Sequence, residues 1–251
     1  MNGFLYGFVL QWKLDLRSRT MLITCYAVPL LFFAVMGGIF TSVMPESKET
    51  LIQSMTVFAV TMGALIGLPP SLVEIYRSDV KNAYQANGVP LSLGLILTNL
   101  SAFFHLLVMS FILYVIAPIA FDVKIPEHPE TYWGGLIILI AVSLSIASII
   151  GLAVKDTANT SMFSILLFLP SIMLSGIMFP VDLLPKPFEI AGKLFPAAWG
   201  YRLMLESTFI GHTLWPLIVI FLAAVVLCCI LLKKSELDNH SIVIGALGYT
   251  V

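Results

Sequence analysis

Charged residues are scarce in this chain, since Asp, Glu, Lys and Arg together make up only 11% of its 251 residues. Soluble domains carry roughly 25% charged residues, and so little charge cannot cover a surface that faces water. Hydrophobic residues reach 59%, and the mean hydropathy is +0.99. Helices satisfy their own backbone hydrogen bonds in lipid. The composition therefore predicts an all-α polytopic membrane protein.

Cysteine is also rare, and each of the three cysteines lies inside an apolar run: Cys25, Cys228 and Cys229. We expect them to act as small hydrophobes rather than as a disulfide framework. The histidines outside the apolar runs are scattered over different loops without metal-ligand spacing: His128, His212 and His240. The net charge is -1, so the composition offers no argument for binding to nucleic acid.

Catalytic and nucleotide-binding motifs are missing from the sequence. It contains no H-E-x-x-H, no G-x-S-x-G and no phosphate-binding G-x-x-x-x-G-K-[ST]. None of the long apolar runs contains Asp, Glu, Lys or Arg, although proton-coupled carriers need carboxylates inside the membrane. The chain is therefore predicted not to be an enzyme and to bind no cofactor itself. If ATP drives it, ATP and magnesium must bind to a partner subunit.

Six apolar runs approach or exceed the roughly 20 residues that cross a bilayer. They are Met21–Val43, Leu51–Val73, Leu93–Ala120, Tyr132–Val154, Thr160–Phe179 and Leu214–Leu232. Lys and Arg are enriched in cytoplasmic segments, and an inside N-terminus places there Lys13, Arg17, Arg19, Arg77, Lys81, Lys155, Lys233 and Lys234. Fewer fall outside: Lys48, Lys124, Lys186, Lys193 and Arg202. Both termini, including the tail 233–251, are therefore predicted to be cytoplasmic.

Residues 1–19 precede the first run and have an amphipathic pattern. The apolar side chains near one helical face are Phe4, Leu5, Phe8, Val9, Trp12 and Leu16, and the polar ones elsewhere are Gln11, Lys13, Asp15 and Arg17. This pattern predicts an elbow helix that lies in the cytoplasmic interface before the first span. A frayed leader to that span is the alternative.

Residues 74–92, EIYRSDVKNAYQANGVPLS, form the longest polar stretch on the predicted cytoplasmic side. Tyr76, Val80 and Tyr84 recur every four residues, which predicts a short amphipathic helix stopped by Gly88 and Pro90. Such a helix between two spans would be a lever that a cytoplasmic partner can push. A solvated connector is the alternative.

Residues 176–212 remain apolar although they follow a run of membrane-spanning length. One face between Pro187 and Pro196 carries Phe188, Ala191, Leu194 and Phe195. Glu189 and Lys193 form an i,i+4 pair on the other face, and a second amphipathic stretch follows from Tyr201 to Ile210. Two short helices are therefore predicted to form an extracellular re-entrant hairpin before the last span.

Two polar residues in the third run are candidates for contact with a substrate. His105 is the only histidine within any of the six runs, and Asn99 lies between one and two turns before it. A hydrogen bond between helices is the alternative use of His105.

The most specific stretch is LSGIMFPVDLLPKPFEIAGKLFPAAWGYRLM, residues 174–204. It is similar to the S-G-x-x-F-P … L-P … P-x-x-x-x-x-x-x-L signature of the ABC-2 type exporter permeases. The matching positions are Ser175, Gly176, Phe179, Pro180, Leu184, Pro185 and Pro196. NGVPLSLGLILTNL is similar to that family's T-P-V-S-r-x-x-i-l-g-K stretch, with Pro90 and Ser92 slightly displaced. The usual E-R-x-x-G-T before it is replaced by Glu74–Lys81 without Gly-Thr.

The resemblance implies one ABC-2-type transmembrane domain over residues 1–251, with the elbow (1–19), a coupling-helix loop (74–92), the hairpin (176–212) and the tail (233–251). It implies a bacterial cell-membrane exporter with two cytoplasmic ATPase subunits and a second permease, identical or homologous. The residues expected to couple to the ATPase are Tyr76, Arg77, Val80, Lys81, Tyr84 and Trp12. The expected extracellular gate consists of Phe179, Pro180, Pro185, Phe188, Phe195 and Pro196.

The resemblance further implies an amphipathic or lipid-like substrate: a drug, an antimicrobial peptide or a lipid-linked molecule, as in multidrug or antimicrobial-peptide resistance. A non-transporting membrane scaffold or immunity protein that binds a toxin or a lipid is the alternative function. A membrane-embedded enzyme is a third possibility, which the lack of a carboxylate or histidine cluster at membrane depth disfavours.

Overall fold

The computed structural model describes residues 3–77, 81, 84, 86–154, 156–178, 181 and 184–247. In these residues the chain is helical apart from connecting segments, and they contain no β-strand. The helices are α1 (Gly3–Arg17), α2 (Arg19–Val43), α3 (Leu51–Arg77), α4 (Leu91–Phe121), α5 (Pro129–Ala153), α6 (Thr157–Met173), α7 (Lys186–Gly192), α8 (Pro196–Leu205) and α9 (Gly211–Leu247). The predicted all-α class is confirmed.

Five of the described helices are long and apolar enough to cross a membrane: α2, α3, α4, α5 and the Gly211–Lys234 part of α9. They correspond to five of the six predicted runs. The remaining run corresponds to α6, which has 17 residues. At 1.5 Å per residue its length is about 25 Å, somewhat less than the roughly 30 Å of hydrocarbon. The count of six spans therefore stays a prediction.

The helix α6 ends at Met173, although the apolar run continues to Phe179. The Ser175 hydroxyl donates a hydrogen bond of 2.8 Å to the Ile172 carbonyl oxygen. Gly176 follows with a φ of +89°, a conformation that is costly for any residue with a Cβ atom. The turn that ends the helix is thus built by Ser175 and Gly176.

The helices α2 and α3 each contain one π-helical turn, at Ile23–Ala27 and Gly63–Gly67. Each turn lies just before a proline, Pro29 or Pro69, whose missing N–H leaves a carbonyl one turn earlier without its partner. The two turns pack against each other, and a Cβ on Gly63 would lie 3.2 Å from the Cys25 sulfur. Small residues thus bring the two helices close together, as is common between membrane helices.

The helix α3 lies at the centre of the helix bundle. It packs against α2, α4, α5, α6 and α8, and 94% of its most apolar 18-residue window is buried, against 28% in α2 and 17% in α9. The peripheral helices instead expose large apolar side chains such as Leu31, Leu166 and Leu222. Exposed apolar surface of this extent is expected where helices face lipid.

The connections lie at two opposite ends of the bundle. The end that carries α1, Gly88 and Val154 is called the α1 side below. The opposite end, called the α8 side, carries Pro45–Glu49, residues 122–128, α7 and α8. There the Lys124 amide donates to the Lys48 carbonyl oxygen at 3.2 Å, and the Thr131 hydroxyl donates to the Glu206 carbonyl oxygen at 2.7 Å.

Candidate functional site

The α1-side end of α3 is fixed to the start of α4 by two tyrosines. Tyr76 is buried, and its hydroxyl donates a hydrogen bond of 2.6 Å to the carbonyl oxygen of Leu91, the first residue of α4. Tyr84 packs on the same turn, since a Cβ on Gly94 would lie 3.0 Å from its Cε2 atom. The structure therefore brings two of the predicted coupling residues together on the first turn of α4.

The helical backbone that precedes α4 ends before Gly88, one of the two residues predicted to stop a helix here. Gly88 has a φ of +66°, and the Val89 amide donates to the Tyr84 carbonyl oxygen at 2.8 Å, which is the usual way in which a glycine closes a helix. Lys81 and Tyr84 are helical, and Lys81 is buried. Val80, the middle member of the predicted apolar stripe, lies outside the described residues.

Arg77 connects the same end of α3 to a third helix. Its Nη2 atom donates a hydrogen bond of 3.1 Å to the Leu152 carbonyl oxygen in the last turn of α5. A cation stabilises a helix C-terminus, where the carbonyl groups lack partners within the helix. The α1-side end of α3 is thus attached to both α4 and α5.

The helix α1 packs along α4 through aromatic side chains. The rings of Trp12 and His105 are stacked, with centroids 4.0 Å apart and planes 6° from parallel. The Tyr26 hydroxyl lies 2.8 Å from Nδ1 of His105, so helices α1, α2 and α4 meet at this buried imidazole. Its Nε2 atom has no hydrogen-bond partner among the described residues. His105 is therefore enclosed by the chain's own helices.

Sequence reasoning missed Asp15, which is buried between α1 and α4. Its carboxylate accepts hydrogen bonds from the Ser101 hydroxyl at 2.5 Å and from the Gln11 amide at 2.9 Å. Phe4, Leu5, Val9 and Leu16 of the same helix are exposed, so the face of α1 that packs on α4 is not the one that carries these apolar side chains. A signal was present, since Phe8, Gln11, Trp12 and Asp15 share one helical face by i, i+3, i+4 and i+7 spacing.

Burial raises the pKa of Asp15, because desolvation disfavours its charged form more than the two hydrogen bonds favour it. A carboxyl group whose folded pKa is raised contributes stability below its unfolded pKa and loses that stability as the pH rises through the folded pKa. We therefore expect Asp15→Asn to have a higher unfolding temperature than the wild type at neutral pH. The difference in unfolding temperature between the variant and the wild type should be a few degrees, since about 1 kcal/mol corresponds to roughly 2–4 °C in a domain of this size. This difference should disappear as the pH is lowered.

Thermal unfolding of the purified chain between pH 4 and 8 measures this difference. The exposed Glu46 offers a matched control, because Glu46→Gln removes the same charge outside the packed interior. A similar stabilisation at neutral pH in both variants would show that the buried position of Asp15 is not its cause.

On the α8 side, prolines delimit the two short helices α7 and α8. Pro185 precedes α7 and Phe195 precedes α8, while Pro187 and Pro196 occupy the first turns, where the missing N–H carries no cost. The predicted i,i+4 pair is present between Lys193 and Glu189 at 2.9 Å. The hydrogen bond from Lys193 lowers the pKa of Glu189.

The two helices are buried to different extents. The helix α8 packs on α5, since a Cβ on Gly200 would lie 2.7 Å from a Leu139 methyl group. The helix α7 approaches the end of α6 through Gly192, where a Cβ would lie 2.3 Å from the Leu174 carbonyl oxygen. Of the predicted gate residues, Pro185 and Phe188 are exposed, Phe195 is half-buried and Pro196 is buried. Phe179 and Pro180 lie outside the described residues.

The α8-side end of α3 contacts α8 directly. The Ser54 hydroxyl donates a hydrogen bond of 3.2 Å to the Tyr201 hydroxyl oxygen. Beside this contact lies a cavity of about 520 Å³, lined in part by Phe40, Glu46, Met178 and Tyr201. The same helix that is bonded to α4 and α5 at one end is therefore attached to α8 at the other.

Asn99 lies apart from His105, on another face of α4. Its amide nitrogen donates to the Ser148 hydroxyl at 3.0 Å and to the Leu95 carbonyl oxygen at 2.9 Å. Asn99 and Ser148 line a mainly apolar cavity of about 420 Å³ between α4, α5 and α9. The two predicted substrate contacts are thus not brought together, and only Asn99 of the two lines this cavity.

Within the described residues, no three His, Cys, Asp or Glu side chains are grouped so as to hold a metal ion. A comparison with curated proteins found no match. The family model described as ABC-2 type transporter matches residues 4–209, a range that begins in α1 and extends past the end of α8. Since this match covers well over half of the sequence, the chain belongs to the ABC-2 type transporter family, whose members are the membrane components of transporters.

Proposed function

We propose that this chain is the permease subunit of an ATP-driven exporter, and that a separate cytoplasmic ATPase supplies the energy. The observation that carries this function is the position of α3. Tyr76 and Arg77 attach one end of α3 to α4 and α5, and Ser54 attaches the other end to α8. One buried helix thus links the segment that a cytoplasmic partner would push to the segment that would open outside.

The mechanical role of α3 follows from its length and burial. It has 27 residues, about 40 Å at 1.5 Å per residue, so it reaches from one end of the bundle to the other. A push on residues 74–92 would move α3, α4 and α5 together, because hydrogen bonds join their ends. The π-helical turn at Gly63–Gly67 would be a place where the helix changes its winding. Movement of Ser54 against Tyr201 would then part the gate.

The membrane topology is part of the same proposal. The chain crosses the membrane six times, α6 and the turn after it forming the fifth crossing, and both termini are cytoplasmic. The helix α9 supports this count, because Thr213 donates to Glu206 on the α8 side at 2.6 Å, while Cys228 packs against Ser145 deeper in the bundle. The helix α9 therefore runs from the α8 side towards the α1 side, which is the end of the bundle that carries α1.

The helix α1 would be the elbow, and α7 with α8 would form the re-entrant hairpin. Phe188 and Ile190 of α7, and Leu194 just after it, are all more than half exposed, which supports contact with lipid rather than with water. Arg202 lies over the ring of Trp199, 5.6 Å from its centroid, a pair suited to the depth of the lipid headgroups.

The substrate that fits is amphipathic or lipid-like. The cavity beside Asn99 opens between α4, α5 and α9 and is lined mainly by apolar side chains with one amide and two hydroxyl groups. Such a lining suits an acyl or aromatic body with one or two polar groups. A second permease, identical or homologous, and two ATPase copies would complete the exporter in a bacterial cell membrane.

Co-purification with a candidate ATPase tests this function. We expect the two subunits to elute together, and amphipathic substrates to raise ATP turnover by the complex several-fold. If the chain binds a toxin or a lipid tightly, but neither retains an ATPase nor changes ATP turnover, export is contradicted. That result would favour the alternative function, a non-transporting membrane scaffold or immunity protein.

A further inference from the structure

A third cavity, with many polar groups in its lining, lies on the α8 side. Its volume is about 220 Å³, and it is lined by the start of α3, residues 124–128 and the end of α8. Its lining includes the charged or polar side chains of Glu49, Gln53, Lys124, Glu127, His128 and Glu206. It therefore sits where the central helix, a connecting segment and the second helix of the α7–α8 pair meet.

Two oxygen atoms of this lining are buried without a hydrogen-bond partner among the described residues. They are Oε1 of Gln53 and Oε2 of Glu206. Gln53 is only 4% exposed. The other oxygen of Glu206 accepts a hydrogen bond from the Thr213 hydroxyl at 2.6 Å, which holds the carboxylate in place. A buried acceptor without a donor is unfavourable and calls for an explanation.

The charge of the lining favours a cation. Glu49, Glu127 and Glu206 oppose a single cationic side chain, Lys124, among the residues that line the cavity. Lys124 is already paired with Glu49 at 2.7 Å, and that hydrogen bond lowers the pKa of Glu49. The acidic side chains of the lining therefore outnumber its lysine by two.

We propose that this cavity binds an ammonium group, with Glu206 and Gln53 as its acceptors. An ammonium nitrogen carries several N–H donors, and a carboxylate oxygen together with an amide oxygen would each accept one of them. The volume equals that of roughly seven waters at about 30 Å³ each, which accommodates an ammonium group with a short carbon chain. The ligand would bridge α3 and the end of α8.

This inference rests on the proposed function in one respect. In the proposed membrane topology the cavity faces the exterior, so an amine-bearing substrate would meet it when it leaves the exporter. The ammonium group would come either from a small free amine or from the headgroup of an amphiphile. Binding is measured on the purified chain without an ATPase. Failure of the binding and failure of the export are therefore distinguishable.

The test is ligand-detected NMR on the full chain in dodecyl maltoside micelles, whose headgroups are uncharged. Ethylammonium and decylammonium are the probes, with ethanol and decanol as neutral counterparts. We expect both amines to bind, and Glu206→Gln and Gln53→Leu each to weaken binding at least tenfold. Equal affinity of the two amines would show that a small free amine is sufficient as the ligand. Tighter binding of decylammonium would identify the headgroup of an amphiphile as the source of the ammonium group.

Glu46→Gln is the matched control, because Glu46 lies on the same side but lines the other cavity. Its affinity for ethylammonium should stay within twofold of the wild type. If Glu206→Gln does not fold, Gln53→Leu makes the same comparison. Equal weakening by the control, binding of ethanol as tight as that of ethylammonium, or binding of calcium alone without either amine would overturn the assignment.

Discussion

Tyr84→Asp should reduce ATP-driven export by about a hundredfold or more while leaving the chain in the membrane. The Tyr84 ring is half-buried against the first turn of α4, and a Cβ on Gly94 would lie 3.0 Å from it. A carboxylate at this place must either be buried without a partner, which costs several kcal/mol, or detach the segment from α4. A loss of about 2.7 kcal/mol already corresponds to a hundredfold effect. Export of a substrate from vesicles that contain both subunits measures it.

Two further variants separate loss of packing from loss of the hydroxyl group. Tyr84→Phe retains the ring and should keep export close to the wild-type rate. Gly94→Leu fills the space that the ring occupies and should impair export as Tyr84→Asp does, although the change lies on the opposite helix. Export that survives both Tyr84→Asp and Gly94→Leu would show that this contact does not transmit force.

Gly192→Ala should displace α7 and impair export by roughly ten- to a hundredfold. The added methyl group would lie 2.3 Å from the Leu174 carbonyl oxygen, which belongs to the backbone and cannot turn aside as a side chain can. Overpacking typically costs about 1–3 kcal/mol, and here α7 can relieve it only by moving away from the end of α6. The measurements are export and the labelling of α7 by a reagent confined to the lipid phase.

Gly211→Ala provides the control for that substitution. Gly211 begins α9 on the α8 side, and a Cβ there would meet nothing within 4 Å. The same methyl group should therefore leave both export and labelling unchanged. If Gly192→Ala behaves like Gly211→Ala, the close approach of α7 to α6 has no part in the gate.

Local signals in the sequence predict much of the fold. The long apolar runs match five spans to within a few residues, because length and hydropathy determine which segments can cross hydrocarbon. Gly88, Pro187 and Pro196 lie at the termini of helices, because their backbone conformations are restricted or unusual. The early end of α6 was not predicted, since Ser175 and Gly176 make a turn inside a run that remains apolar.

The sequence did not predict which face of α1 packs on α4, and the reason is physical. In a water-soluble protein the apolar face of a helix packs inward, and the polar face is solvated. Beside a bilayer the outward face meets lipid, so Phe4 and Leu5 face outward. Asp15 faces inward and accepts a hydrogen bond from the Ser101 hydroxyl. The sequence pattern is the same in both settings, and only the surroundings decide which face is buried.

The ammonium cavity was beyond sequence reasoning for a different reason. Its lining comes from residues near 50, 125 and 205, which the fold brings together over long separations along the chain. Nothing in the local pattern around Gln53 or Glu206 indicates that their oxygen atoms lack partners. Such sites become visible only once the helices are packed.

The most direct test of the central claim is reconstitution of the chain into sealed vesicles, with and without its ATPase. Accumulation of an amphipathic substrate against its gradient should require the ATPase and ATP, and vesicles that contain the chain alone should show none. Uphill transport by the chain alone would contradict the claim that force arrives from a separate nucleotide-hydrolysing subunit.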